Sequence, residues 1–256
     1  MTANIYDTIR NPIGLQNHFR GNFNGNNYKL TLGINNTTLT ILRLGLFSFI
    51  EDAEIHNLIV DGYVNSSGIQ SYTGGFFGQT ASSTLQIIGT CIISNCINFA
   101  NLSGSAVGHI GGIGGTIFSR NGDSVINCIN AGNITFNSIQ LGYIGGIVGG
   151  AYYESQIINC LNLGKVFCIS FSTPNGDYNR VGGICGFLSS SHITKCINSA
   201  LVISSYTGTI GGVGGLVGLA QSGSSITDCI NTGAVEGSEK KDCILGNGSS
   251  YTITNC

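Results

Sequence analysis

Charged side chains are scarce in this chain. Asp, Glu, Lys and Arg make up 9% of its 256 residues, where soluble globular proteins carry roughly a quarter, so solubility has to come from Asn, Ser, Thr and Gly. Proline is nearly missing, with 2 residues against 40 glycines. Proline would remove ladder donors and β-branched side chains fit a pleated surface, so the composition favours ordered strands over disorder. The formal charge is −2 and no cluster of Lys or Arg occurs, which leaves no electrostatic footprint for a phosphate backbone and argues against a nucleic-acid partner. No apolar run reaches 18 residues, and Met1-Thr2-Ala3-Asn4 has neither the basic nor the apolar region of a signal peptide. The expectation is a chain without a membrane-spanning segment. No segment holds an apolar 3.6-residue period for three turns, which excludes substantial helix.

What is present is a repeat. An Asn-Cys-aliphatic-Asn block recurs as Asn95-Cys96-Ile97-Asn98, Asn127-Cys128-Ile129-Asn130 and Asn159-Cys160-Leu161-Asn162. With one changed residue it continues as Lys195-Cys196-Ile197-Asn198 and Asp228-Cys229-Ile230-Asn231, and it ends at Asn255-Cys256. The cysteines lie 32, 32, 36, 33 and 27 residues apart. A glycine block precedes each: Gly74-Gly75-Phe76-Phe77-Gly78, Gly114-Gly115-Thr116-Ile117, Gly145-Gly146-Ile147-Val148-Gly149, Gly182-Gly183-Ile184-Cys185-Gly186, Gly214-Gly215-Leu216-Val217-Gly218, and the degenerate Asp242-Cys243-Ile244-Leu245-Gly246. Extra length falls at two places, around Thr84 to Thr90 and at Ser172 to Asp177, which marks those places as loops.

Such a period means stacked coils. The position three before the cysteine is always aliphatic (Ile93, Val125, Ile157, Ile193, Ile226, Ile253), as is the position six after it (Leu102, Ile134, Val166, Val202, Val235). The position four after is Gly or Ala (Ala100, Gly132, Gly164, Ala200, Gly233), as a tight corner requires. The fold class is therefore all-β, a parallel β-helix (β-solenoid) with coils of about 32 residues. On a straight strand the cysteine and the aliphatic after it cannot both face inward, so a bend is expected at that block. Residues 1–65 read as divergent N-terminal capping coils. In them Phe19 to Asn26 is a turn-rich opening and Leu30 to Leu44 is strand, while Gly45-Leu46-Phe47-Ser48 and Ala53-Glu54-Ile55-His56-Asn57-Leu58 fill the two motif slots. Residues 66–256 are the regular coils of the same elongated domain. The last coil stops on the motif at Cys256, so the expectation is a piece of a longer polypeptide.

Together the Gly45-Leu46-Phe47 copy, the Gly-Gly-aliphatic-aliphatic-Gly blocks and the Asn-Cys-aliphatic-Asn blocks resemble the GLUG-type repeats, over about residues 19–256. Ser48 stands where that family usually has Gly. The resemblance implies a β-helical stalk of the kind found in bacterial and protist surface proteins, including adhesin-like proteins and regions attached to immunoglobulin-A-cleaving metallopeptidases. It implies a secreted or cell-surface location and an unidentified host or glycan partner. No His-Glu-x-x-His signature occurs, so the peptidase activity of some relatives is not carried over.

The residues assign no catalytic, cofactor-binding or metal-binding role. Among ten cysteines there is no Cys-x-x-Cys pair, and His18, His56, His109 and His192 do not keep repeat register. A column of buried thiols is expected instead. In a parallel stack the Cβ atoms of successive coils would sit about 4.8 Å apart, beyond the usual disulfide range. Cys91, Cys168, Cys185 and Cys243 lie outside the column and are expected to be less constrained, free to pair in an oxidising compartment. Asn98, Asn130, Asn162, Asn198 and Asn231 read as a stacked amide ladder rather than a recognition face. Glycosidase or lyase chemistry needs clustered carboxylates, but only Asp228 and Asp242 fall within motif blocks. An ice-binding face would need regular threonine columns, yet the position two before the cysteine runs Ser94, Ile126, Ile158, Thr194, Thr227, Thr254. The glycine blocks are not followed by a helix and recur in every coil, so packing accounts for them better than phosphate binding. The expected function is a non-catalytic stalk that binds through its loops, Ala81 to Thr90 and Ser172 to Arg180; the alternative is a β-helical carbohydrate-active enzyme, a polysaccharide lyase or glycoside hydrolase.

Overall fold

The residue before each motif cysteine sets the shape of a coil. In the computed structural model, which describes residues 5–36, 41–68, 70–80, 89–105, 107–118, 122–138, 141–170, 179–205, 211–237 and 240–256, Asn95, Asn127, Asn159, Lys195, Asp228 and Asn255 all have φ between 51° and 56°. Asparagine tolerates this left-handed conformation better than most residues. The bend therefore sits at the residue before the cysteine, and it turns the cysteine inward and the following aliphatic outward. Cys96, Cys128, Cys196 and Cys229 are fully buried, whereas Ile197 and Ile230 are 36% and 52% exposed.

Three parallel sheets result. In one coil the chain runs through Gly142–Gly145 in the second sheet, Val148–Tyr152 and Gln156–Ile158 in the third, and Leu161–Asn162 and Val166–Ser170 in the first. It then re-enters the second sheet at Arg180–Gly182. Each strand pairs with its equivalents one coil before and one coil after, as in Ile97↔Ile129, Ile129↔Leu161 and Leu161↔Ile197. The expected columns are stacked. Ile93, Val125, Ile157, Ile193 and Ile226 have no exposure, and inward residues of all three sheets meet in one core. The half-threonine column from Ser94 to Thr254 is also in register. Among the described residues there is no helix, and hence no helix long and apolar enough to cross a membrane.

The opening segment follows the same path. Phe19–Asn24 is a strand rather than a turn-rich stretch, and it pairs with Phe47–His56 in the third sheet; the turn is confined to its end, where Asn26 and Asn27 have φ of 49° and 60°. Leu30 to Leu44 divides into Lys29–Asn36 in the first sheet and Ile41–Leu44 in the second. Leu58 is buried and occupies the place a motif cysteine takes in later coils, because Ile55 pairs with Ile93 and His56 with Ser94.

The amide ladder is continuous. Asn98 donates through Nδ2 to Oδ1 of Asn130 at 2.8 Å, Asn130 to Asn162 at 2.9 Å, Asn162 to Asn198 at 2.8 Å and Asn198 to Asn231 at 2.8 Å. Each amide also caps a carbonyl two residues on, such as that of Gly164 from Asn162 at 3.0 Å. Gly75, Gly112, Gly146, Gly183 and Gly215 lie against these amides, where a Cβ would overlap them.

That contact corrects one alignment. In the second glycine block the structural pair is Gly111-Gly112, since Gly111 pairs with both Gly74 and Gly145. The block is Gly111-Gly112-Ile113-Gly114-Gly115, and the pair read from sequence was displaced by three residues because two glycine pairs follow in close succession. A second correction concerns the extra cysteines. Cys91, Cys168 and Cys185 are buried and unpaired, and only Cys243 of the four is exposed. Cys168 falls two residues after Val166 and so shares its inward face, between Phe136 and Ser204.

Candidate functional site

The glycine blocks do more than close a corner. The last glycine of each lies directly against the backbone of the second-sheet strands: an added Cβ at Gly149 would sit 2.7 Å from the Ile110 nitrogen and 2.8 Å from the Tyr143 carbonyl oxygen, and one at Gly78 2.7 Å from the Leu44 nitrogen. Gly115, Gly186 and Gly218 make the same approach to the strands of residues 70–74, 142–145 and 180–182. The second and third sheets thus touch backbone to backbone, with no side-chain layer between them. Their outward side chains converge on the far side of this contact from the main core, and they form a crease along the stack.

One wall of the crease is a single register column: Arg43, Tyr72, His109, Tyr143, Arg180 and Gly212, each paired with the next. The facing wall carries the column Phe49, Gln79, Thr116, Gly150, Phe187 and Leu219, with Phe118 and Tyr152 beside it. Tyr143, Phe187 and Leu219 make a small apolar cluster separate from the main core. The rings are in contact along the crease: Tyr72 with His109 at 5.0 Å between centroids, His109 with Tyr143 at 4.3 Å, Tyr143 with Phe187 at 5.0 Å and Phe118 with Tyr152 at 5.3 Å. These separations suit edge-to-face and offset aromatic pairs.

The crease opens into a cleft of about 450 Å³ lined by Gln70, Tyr72, Gln79, Gly108, His109, Thr116, Phe118, Leu141, Tyr143 and Tyr152. No carboxylate is among these residues. A second cleft of about 340 Å³ adjoins at Arg43 and Phe49, where His18 stacks on Phe49 at 4.0 Å. His109 bonds through Nδ1 to the Thr116 hydroxyl. Burial, and then the positive charge of Arg180, push its imidazole down to about 3, so at neutral pH it is an uncharged ring that both donates and accepts. Burial likewise raises the Tyr72 and Tyr152 phenols, which keeps both as neutral hydroxyls. Arg43 lies 4.6 Å above the Phe49 ring and donates from Nε to Gln79 at 2.6 Å. Arg180 lies 4.5 Å from Tyr143 and 4.3 Å from Phe187.

Residues 209–236 match the GLUG motif. The solenoid carries the GLUG motif. The matched stretch runs from the second-sheet strand Gly212–Gly214, through Val217–Thr227 of the third sheet, to Val235–Glu236 of the first, which is one turn of the stack. Its Gly214-Gly215-Leu216-Val217-Gly218 and Asp228-Cys229-Ile230-Asn231 blocks are in register with every preceding coil. The architecture is that of a GLUG-repeat β-helix. No curated protein and no solved structure matches the chain.

In this GLUG solenoid the residues singled out from sequence are mostly internal. The asparagine and cysteine columns are packing elements, Asp228 accepts from Asn255 at 2.9 Å, and Asp242 caps the Ile244 amide at 2.9 Å. The loop residues 81–88 and 171–178, including Asp177, lie outside the described residues. His109, out of register by its spacing in the sequence, holds the same slot as Tyr72 and Tyr143. The signal was there in the residue two before each glycine pair, which is Tyr72, His109, Tyr143 and Arg180 in four successive coils. It is hard to read because the residue type changes from coil to coil while the outward direction does not, and because the second glycine pair lies at Gly111-Gly112, three residues before Gly114-Gly115.

Proposed function

We propose that this chain is a non-catalytic repeat stalk, secreted or held at a cell surface, that binds an extended partner along the crease between its second and third sheets. The observation that supports this reading is the continuous aromatic wall from Tyr72 through His109 to Tyr143, open to a 450 Å³ cleft. Tyrosine presents a large apolar face with a polar tip, which suits a ligand alternating apolar and hydroxyl surfaces. A concave, mostly apolar site with a few polar groups is the usual form of a binding site. Hydrolysis of a glycosidic bond would need a pair of carboxylic groups flanking the substrate, and the cleft lining supplies none.

A glycan array probed with the intact chain tests this. The expected result is binding to a subset of saccharides, lost on Tyr72→Ala, with no release of reducing ends or unsaturated products. Binding untouched by Tyr72→Ala would overturn the crease as the site. Release of product, abolished by replacing a carboxylate such as Glu154 or Asp177, would replace the stalk by a carbohydrate-active enzyme.

A further inference from the structure

The two ends of the aromatic wall are cationic. Arg43 and Arg180 stand four register steps apart in one column, roughly 19 Å at about 4.8 Å per step. Both guanidinium groups are half-buried against aromatic rings. The carboxylates of Glu51, Asp61 and Glu154 pair with other cations, His18, Arg20, Lys29 and His192. Among the described residues Nε of Arg180 is buried without a hydrogen-bond partner, and the next residue in its column is Gly212, which has no side chain.

A cation drawn out of water next to aromatic rings is stabilised by an anion that can reach it. Arginine meets a carboxylate through two parallel bonds. Between the two cations the wall offers ring faces and neutral donors and acceptors, which match the faces and hydroxyls of sugar rings. We propose that the crease takes an acidic oligosaccharide, its uronate carboxylates on Arg43 and Arg180 and its sugar rings against the half-buried Tyr72 and His109, which the buried Tyr143 backs. This rests on the crease being the binding site and adds the class of ligand. The chain as a whole carries a net charge of −2, so diffuse attraction would not bring a polyanion to it and the affinity has to be local.

The probes are a hexamer of galacturonic acid and its fully methyl-esterified, uncharged twin, titrated into the intact chain by calorimetry. The acid is expected to bind at least about tenfold more tightly than the ester and to weaken as ionic strength rises. Arg43→Gln and Arg180→Gln should each lose about tenfold toward the acid and little toward the ester. Arg180→Lys, which keeps the charge without the fork, should fall between, and Lys165→Gln, just before the first-sheet strand Val166–Ser170, should change nothing. Circular dichroism of each variant identifies any that fails to fold, and the ester comparison on the wild-type chain holds regardless. If acid and ester bind equally and Tyr72→Ala weakens both, the acidic ligand is wrong and the crease remains a saccharide site. If Lys165→Gln costs as much as the arginine variants, the attraction is diffuse and the proposal fails. If no saccharide binds, or Tyr72→Ala leaves binding unchanged, the crease reading falls with it.

Discussion

Asn162→Ala in the middle of the amide ladder should destabilise the central coils by about 3–5 kcal/mol. Asn162 is fully buried. Its removal takes the acceptor from Asn130 Nδ2, which sits 2.9 Å from it, and leaves a buried N–H unpaired. It also removes the donor to Asn198 at 2.8 Å and the cap on the Gly164 carbonyl at 3.0 Å. A buried donor left without a partner costs roughly 1–3 kcal/mol, and each further bond contributes about 1 kcal/mol. Asn198 Oδ1 keeps the Ala200 amide at 3.3 Å, which holds the total below that of three orphaned groups. The control is Asn159→Gly. Asn159 is exposed, its φ is 51°, and glycine adopts that conformation freely, so it should change stability by under about 1 kcal/mol. Urea unfolding followed by circular dichroism measures both. Hydrogen exchange should show the loss concentrated in the coils next to residue 162, since each coil of a solenoid contacts mainly its neighbours. Equal midpoints for the two variants would refute the ladder as a source of stability.

Three further outcomes follow from the same geometry. In the native chain a maleimide should label Cys243 and Cys256, the two exposed thiols, and mass spectrometry showing other cysteines modified before unfolding would contradict the inward column. Cys160→Ser should cost less than about 1 kcal/mol in urea unfolding, because a hydroxyl there inherits the Ile158 and Val125 carbonyls that the thiol faces at 3.3 and 3.5 Å; a loss of several kcal/mol would mean those contacts are not made. His109 has its imidazole depressed to about 3 by burial and by Arg180, against about 6.5 when unfolded, so it contributes stability that is fully present above about pH 6.5 and is lost as pH falls toward 3, on the order of a few kcal/mol. Urea midpoints between pH 7 and 4 should fall more steeply for the wild type than for His109→Gln, and parallel curves would exclude the coupling.

The inward half of this molecule was legible because its residues repeat. A buried column needs nearly the same side chain in every coil, so Cys, Asn and the aliphatics recur at fixed spacing and the period announces itself. Outward positions carry no such constraint. Arg, Tyr, His, Tyr and Arg fill one column of the crease, and nothing in their identities marks them as neighbours until the glycine register is known. The same blindness hid Cys168, which a period-two reading from Val166 would have placed inside. The glycines were read as corners, which is half of their role; that they also press two sheets together is a three-dimensional fact with no signature beyond the residue itself.

The buried thiols have a consequence for how the chain is made. Burial raises Cys128 and Cys160 well above the ordinary thiol value and Cys168 and Cys185 to about 12, and only the thiolate attacks a disulfide. Once stacked, the buried thiols of a coil are poor nucleophiles toward the disulfides that would scramble an open chain. Before stacking, its cysteine has ordinary acidity and every other cysteine within reach. Assembly from one end, each coil docking on the last as it emerges, would therefore keep the reactive interval short, and a chain released all at once into an oxidising solution would be expected to cross-link faster than it winds.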